Sequence, residues 1–361
     1  MKRLLALSFS LIFTLGMTAQ VNFGNAVNTL TERLTFSGYA QAGYSYIHRY
    51  ENTNEFDMKR VSLTVNAQIT DRWSASTTLD PKNGTALEYY TDYTVFPFLK
   101  AKFGQFKTPY TFENQLSSSV IDLINGGSQA MRYLVATDGS DPMNYKTTGR
   151  DLGFMIYGDF LYGLFNYGIA VMNGQGYNKS DGNNHKDIVG RLTFNLGDNF
   201  SLGGSFIAGR GHAISGNNSL GILEGANYKR NRWAFGATYK SYLADIMTEV
   251  LGGKDGEFNS KGFYATSSIH LSPKLDAILS YDYFNTREFE NQKTPDASDI
   301  YKNVKSNDFK SILPGEIQSN YIAGLQYWFY PKCRLQVQYV YNDCHINKNS
   351  SALLTQLQVA F

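Results

Sequence analysis

The sequence predicts an all-β chain, a transmembrane antiparallel β-barrel of about 16 strands, on three observations. Apolar and polar residues alternate along most of the 361 residues, an apolar leader opens the chain with no later run long enough for a membrane helix, and aromatic residues gather at the ends of the alternating stretches. Composition agrees. The charged fraction is 18%, below the quarter usual for soluble domains, while 26 Tyr and 24 Phe stand against 3 Trp. Two cysteines exclude a disulfide-stapled mini-domain and a Cys-rich zinc site. With 33 basic and 31 acidic residues there is no electrostatic footprint for nucleic acid.

Residues 1–19 read as a signal peptide, which leaves 20–361 as the barrel domain. Lys2 and Arg3 form a positive start, Leu4 to Leu15 an apolar stretch, and Ala19 a small residue for cleavage. A membrane anchor would need roughly 20 apolar residues. Once Lys2 and Arg3 leave with the leader, basic and acidic residues balance. Without a spanning helix, a closed barrel is the remaining way to cross a bilayer, because every backbone polar group must be paired there.

The strands follow from a period of two. Val61, Leu63, Val65, Ala67 and Ile69 fall on one face, and Ser62, Thr64, Asn66 and Gln68 on the other. Leu335, Val337, Tyr339 and Tyr341 alternate with Arg334, Gln336, Gln338 and Asn342; Leu353, Thr355, Leu357, Val359 and Phe361 alternate with Leu354, Gln356, Gln358 and Ala360. Segments are expected to start near Arg33, Phe56, Trp73, Leu87, Phe98, Gly149, Gly163, Asp187, Phe200, Ile222, Arg232, Lys261, Lys274, Ile317, Cys333 and Ser351. Tight turns (Gly197-Asp198-Asn199, Ser272-Pro273, Tyr330-Pro331-Lys332) alternate with the long polar connections 174–184, 211–221 and 286–315. Short periplasmic turns against longer outer loops are what a barrel of the Gram-negative outer membrane requires, as are aromatic girdles such as Tyr44 with Tyr46 and Tyr327 to Tyr330. A soluble β-sandwich or propeller is the alternative, told apart by solubility without detergent.

The last strand ends on Phe361, the final residue, and resembles the terminal signature by which outer-membrane barrels engage the barrel-assembly machinery. Cys333 and Cys344 sit at the two ends of one strand, roughly 36 Å apart, beyond disulfide reach.

Several stretches resemble the phosphate-selective porin O and P family: FDMKRVSLTVNAQI (56–69), GQFKTPYTFE (104–113), GRDLGFMIYGDF (149–160), YGIAVMNGQG (167–176) and GRLTFNLGDNFSLGGSF (190–206). The resemblance runs from about Arg33 to Phe206. It implies a homotrimer in the outer membrane, in contact with lipid, whose barrels are narrowed by an inward-folded third loop and pass small hydrophilic solutes or anions. Residues 108–148, without a clean strand, suit that loop as the constriction.

Such a channel needs charges at a narrow point rather than catalytic groups. By parity Arg60 shares the wet face with Ser62 and Thr64, whereas Lys59 falls on the other face. Lys100, Lys102 and Arg191 are likewise on wet faces, Lys107 starts the loop and Arg132 lies within it. Arg60, Lys100, Lys102, Lys107, Arg132 and Arg191 are therefore the candidate pore-lining residues; the family resemblance supports Arg60 and Lys107 directly, and the others rest on parity alone. Against anion preference, Glu113, Asp122, Asp138 and Asp141 outnumber Arg132 and Lys146 in the loop. No metal, cofactor or catalytic residue is expected: the five His lack zinc spacing, no Gly-x-Ser-x-Gly exists, and Asp181-Gly182-Asn183-Asn184 reads as a turn rather than a Ca²⁺ loop. The rival functional reading is a plugged structural or secretion-associated barrel whose loops bind partner proteins.

Overall fold

The structure is a computed structural model that describes residues 32–136, 148–214, 222–289, 316–345 and 347–361. The expected leader, residues 1–19, lies outside them. Its strands are β1 (Leu34–His48), β2 (Asn52–Thr70), β3 (Trp73–Asp80), β4 (Thr85–Phe96), β5 (Leu99–Lys107), β6 (Arg150–Phe160), β7 (Phe165–Met172), β8 (Asp187–Leu196), β9 (Phe200–His212), β10 (Asn227–Lys240), β11 (Ala244–Asp255), β12 (Phe258–Ser272), β13 (Leu275–Phe289), β14 (Ile317–Tyr330), β15 (Cys333–Cys344) and β16 (Ser350–Ala360). Each pairs antiparallel with its sequence neighbours, and β16 pairs back onto β1 to close the barrel. Phe361 finishes the seam, its amide donating to the Gly38 carbonyl at 3.0 Å while Gly38 N–H donates to the Phe361 carbonyl at 3.2 Å. Gly38 is needed there because a Cβ would come 2.8 Å from Phe361 Cζ.

The two faces of the wall are inverted relative to a soluble protein. On β14 to β16, Tyr321, Leu325, Leu335, Val337, Tyr339, Leu353, Leu357 and Val359 are exposed, while Gln326, Arg334, Gln336, Gln338, Asn342, Gln356 and Gln358 are buried. Apolar side chains point out and amides in, the arrangement that hydrocarbon outside and polar matter inside would select. Aromatic residues ring the short-turn end (Trp73, Tyr93, Phe96, Tyr162, Tyr242, Tyr330, Phe361), all of them exposed. A second set (Tyr46, Phe56, Tyr89, Trp233, Tyr321, Tyr341) is exposed toward the other end. These are the two interfacial belts.

Three expectations need correction. No strand starts at Ile222; it is a buried residue packed with Ala136, Ala213, Tyr228 and Phe258 under the loops, and β10 is one strand across Arg232. The strand that the pattern missed is β11, where Leu251 faces a buried apolar cluster and Val250 faces outward. Apolar residues on both faces erased the alternation, so the count of 16 was reached with one element misplaced. Nor are all outer connections long: 49–51, 81–84 and 256–257 are tight.

The third correction is Lys59. Register slips at Gln41/Ala42, because Gln41 pairs with Arg60 and Ala42 with Met58. Lys59 is the extra residue of this β-bulge, and a bulge breaks the strict alternation of faces. It turns inward, its Cε only 2.9 Å from where a Cβ on Gly43 would stand. Cys333 and Cys344 close the two ends of β15 and are both free thiols.

Candidate functional site

Between β5 and β6 the chain runs across the inner faces of distant strands. It leaves through Thr108, whose amide bonds the Gly149 carbonyl at 3.0 Å, so both ends of the segment stay tied together. Tyr110 Oη donates to the Trp233 carbonyl at 2.9 Å, and the Phe112 amide to Glu249 Oε1 at 2.7 Å. A single 3₁₀ turn at Glu113–Gln115 follows. Glu113 Oε2 then accepts from both the amide (2.9 Å) and hydroxyl (2.8 Å) of Ser128. Burial pushes the Glu113 carboxyl up to about 7, with the Ser128 donors pulling back and Glu249 and Asp282 adding to the rise. Ser128 also caps helix α1 (Gln129–Leu134), its Oγ accepting from the Met131 amide, and the Gln129 amide donates to Asp282 Oδ2 at 2.8 Å. The helix buries Ala130, Met131, Tyr133 and Leu134 against Ala234, Leu251, Tyr264 and Phe284.

The stretch before the helix is held by the amide-rich wall. Gln41 and Gln358 donate to the carbonyls of Ser118 and Ser119, each at 3.1 Å. Gln336 and Gln338 both donate to the Asp122 carbonyl, at 2.9 and 2.6 Å, and Gln338 Oε1 accepts from the Ile124 amide at 3.0 Å. Gly126 and Gly127 take φ of 91° and 118°. At Gly126 a Cβ would come 2.3 Å from Arg60 Nη2, so any larger residue there would also push the Arg60 guanidinium aside.

What the segment leaves open is a cavity of about 1010 Å³ on the side of β1 to β5. Its cationic lining is Lys59, Arg60, Lys107, Arg132, Arg150 and Lys332, against Asp80 and Glu88. Ser62, Thr64, Asn66, Ser76 and Thr78 supply hydroxyls and an amide between them. Arg60 Nη1 donates to Gln41 Oε1 at 3.1 Å, Lys107 Nζ donates to the Leu116 carbonyl, and Arg150 pairs with Glu88 at 2.8 Å. A second cavity, about 360 Å³, lies beside Glu113 to Leu123 near the β7–β12 wall, with Arg191 and Lys240 against Glu113, Asp122 and Asp245.

Of the six expected residues, Arg60, Lys107 and Arg132 share the larger cavity. Arg191 borders the smaller one, its guanidinium carbon 5.1 Å from the Phe112 ring centre. Lys100 and Lys102 point inward but stand apart from both. Lys102 pairs with Asp92 at 3.3 Å and lies 3.8 Å from the Tyr90 ring centre, and Lys100 is 6.0 Å from that of Tyr157. Parity missed Lys59, hidden by the bulge, and Arg150, which stands at a loop mouth where alternation has not yet begun. The loop's acids also fall differently from its cations. Glu113 and Asp122 border the smaller cavity, Arg132 and Lys107 the larger; Asp138, Asp141 and Lys146 lie outside the described residues.

This architecture has many solved counterparts. The anion-selective porin from Comamonas acidovorans superposes with a TM-score of 0.63 at 12% identity, over 91% of this chain and 99% of that one. The high-pH structure of Pseudomonas putida OprB gives 0.65 at 10% identity, over 94% and 96%. Vibrio cholerae OmpT in a trimer form gives 0.62 at 12% identity, over 91% and 99%. At these identities the likeness establishes the fold. A search of curated proteins finds no match. Residues 36–210 match the family described as phosphate-selective porin O and P. The class is therefore an outer-membrane porin of a Gram-negative bacterium, a closed antiparallel barrel of 16 strands. Over residues 36–210 the chain is similar to the phosphate-selective porin O and P family.

Proposed function

We propose that the protein is a passive outer-membrane channel for small hydrophilic solutes, with a path through the larger cavity that favours anions such as phosphate. The observation that carries this is the lining itself, where Lys59, Arg60, Lys107, Arg132, Arg150 and Lys332 face Asp80 and Glu88. Charges of one sign at a narrow, low-dielectric point raise the local concentration of the opposite ion. The segment 108–148 is the constriction in this reading, and no catalytic group takes part. Arg60, Lys107 and Arg132 set the selectivity, Arg191 acts at the smaller cavity, and Lys100 and Lys102 contribute from the inner wall.

Residues 1–19 direct export, and Phe361 presents the last strand to the assembly machinery. The unit is a homotrimer. In support, Vibrio cholerae OmpT, which shares this barrel fold, has been solved in a trimer form.

The test is the zero-current potential of the purified protein across a salt gradient. Anion preference is expected for the wild type, with at least half of it lost in Arg60→Ala plus Arg132→Ala. Unaltered selectivity in that double variant would refute the assignment, and absence of any conductance would favour the plugged scaffold.

A further inference from the structure

We propose that Arg334 is a positioning residue that keeps the path open, by holding residues 119–122 against β14 to β16 and so limiting how far they enter the larger cavity. The inference rests on the channel reading above. Arg334 is on β15, fully buried, with its guanidinium turned onto the segment. Nη2 donates to the carbonyls of Ile121 (2.7 Å) and Ser119 (3.1 Å). Nη1 donates to Gln326 Oε1 at 2.9 Å and to Asp122 Oδ1 at 3.4 Å, and the guanidinium carbon sits 5.1 Å from the Trp328 ring centre.

Two features set this residue apart from the glutamines beside it. Its bonds are charge-assisted and therefore stronger than neutral amide contacts, and one planar fork fixes three successive points of the segment. Ser119, moreover, borders the larger cavity on the side facing Arg60. Residues 117–120 already line that cavity, so movement of the released stretch into it narrows the path. The Arg334 cation is paired with Asp122, so its own charge adds little to the field along the path.

That combination yields a readout separable from selectivity. In single-channel recordings Arg334→Gln is expected to close at least tenfold more often than wild type, while its zero-current potential in a salt gradient stays unchanged. Arg334→Lys, which can still donate to the Ile121 carbonyl, should recover part of the steady current. Asp122→Asn alters only the loop side of the clamp and should give closures of intermediate frequency, so it decides the matter if Arg334→Gln does not assemble. Steady currents in every variant that assembles would overturn the inference while leaving the channel reading intact. A shift of the zero-current potential in Arg334→Gln as large as that of the Arg60 and Arg132 double variant would also overturn it, making Arg334 a charge of the path. A wild type without conductance would instead overturn the channel reading on which it rests.

Discussion

The two sides of the lumen use polar side chains of different kinds. The β14–β16 wall carries amides, Gln326, Gln336, Gln338, Asn342, Gln356 and Gln358, all buried. An amide both donates and accepts, so it can replace the partners that a non-repetitive backbone lacks. Gln338 does both, giving to the Asp122 carbonyl and taking from the Ile124 amide. The β2–β5 side carries Lys59, Arg60 and Lys107, donors only, around open volume. One side docks the chain's own backbone through several amides, while the other touches it at Leu116, through Lys107, and lines the open cavity with its cations. The difference teaches that burial of polar groups inside this barrel has two meanings, and that the kind of side chain distinguishes them.

Charge reversal should break the comparison most severely. Arg60→Glu with Arg132→Glu places two acids where the cavity now holds two cations. The anion-to-cation permeability ratio is expected to fall by at least about tenfold, equivalent to ~1.4 kcal/mol, and to cross unity; zero-current potentials in a salt gradient read it directly. The same measurement on Gln356→Glu, which adds an acid to the docked side, should show a much smaller change. Equal effects from both would mean that solute samples the two sides alike.

A lesser effect is expected from emptying the docked side of its amides. Gln336→Leu with Gln338→Leu removes the donors to the Asp122 carbonyl and the acceptor for the Ile124 amide. Each buried group left unsatisfied costs about 1–3 kcal/mol, so amide exchange at Ile124 should accelerate by roughly tenfold or more. The barrel ladder on β15 is untouched by these side chains. Exchange at Val337 and Tyr339, which face outward, should therefore stay at wild-type rates.

Much of this barrel was legible because lipid on one side and polar matter on the other write a period of two into every strand. Val61 to Ile69 and Leu335 to Tyr341 were readable for that reason, as was the closing strand to Phe361. Legibility failed where a third body entered. At β11, α1 packs on the inner face and makes Leu251 apolar in a position that alternation reserves for polar residues. At Lys59 the bulge shifted parity by one residue. The site was harder still. Parity can assign Lys102 to the inner face, yet it cannot show that Asp92 and Tyr90 surround it. Counting charges along the loop gave an acidic total, because a sum discards direction; in space Glu113 turns to Ser128 while Arg132 borders the larger cavity. Arg334 looked like one more wet residue of an alternating strand, since nothing in a linear pattern indicates which backbone it will clamp.

The smallest expected effect concerns pH, and it acts on the docked side. Glu113 is buried beside Ser128 with its carboxyl pushed up to about 7, burial being the leading cause. An unfolded glutamate titrates near ~4.3, so undocking lets this group ionise more easily. Docking is therefore firmest below the unfolded value and weakens as pH rises from there through about 7, levelling off above it. Amide exchange of residues 112–128, corrected for intrinsic chemical rates, should show several-fold more frequent opening at pH 8.5 than at pH 5. Glu113→Gln keeps an oxygen that can accept from Ser128 but carries no charge, so its opening should depend less on pH than that of wild type, the remainder coming from Glu249 and Asp282, which also accept from the segment's amides. Ion selectivity, governed from the opposite side of the lumen, should be less sensitive than segment opening to the same substitution. If wild type and Glu113→Gln opened with identical pH dependence, the buried carboxyl would have no part in holding the segment, and the contrast between the two sides would rest on the amides and Arg334 alone.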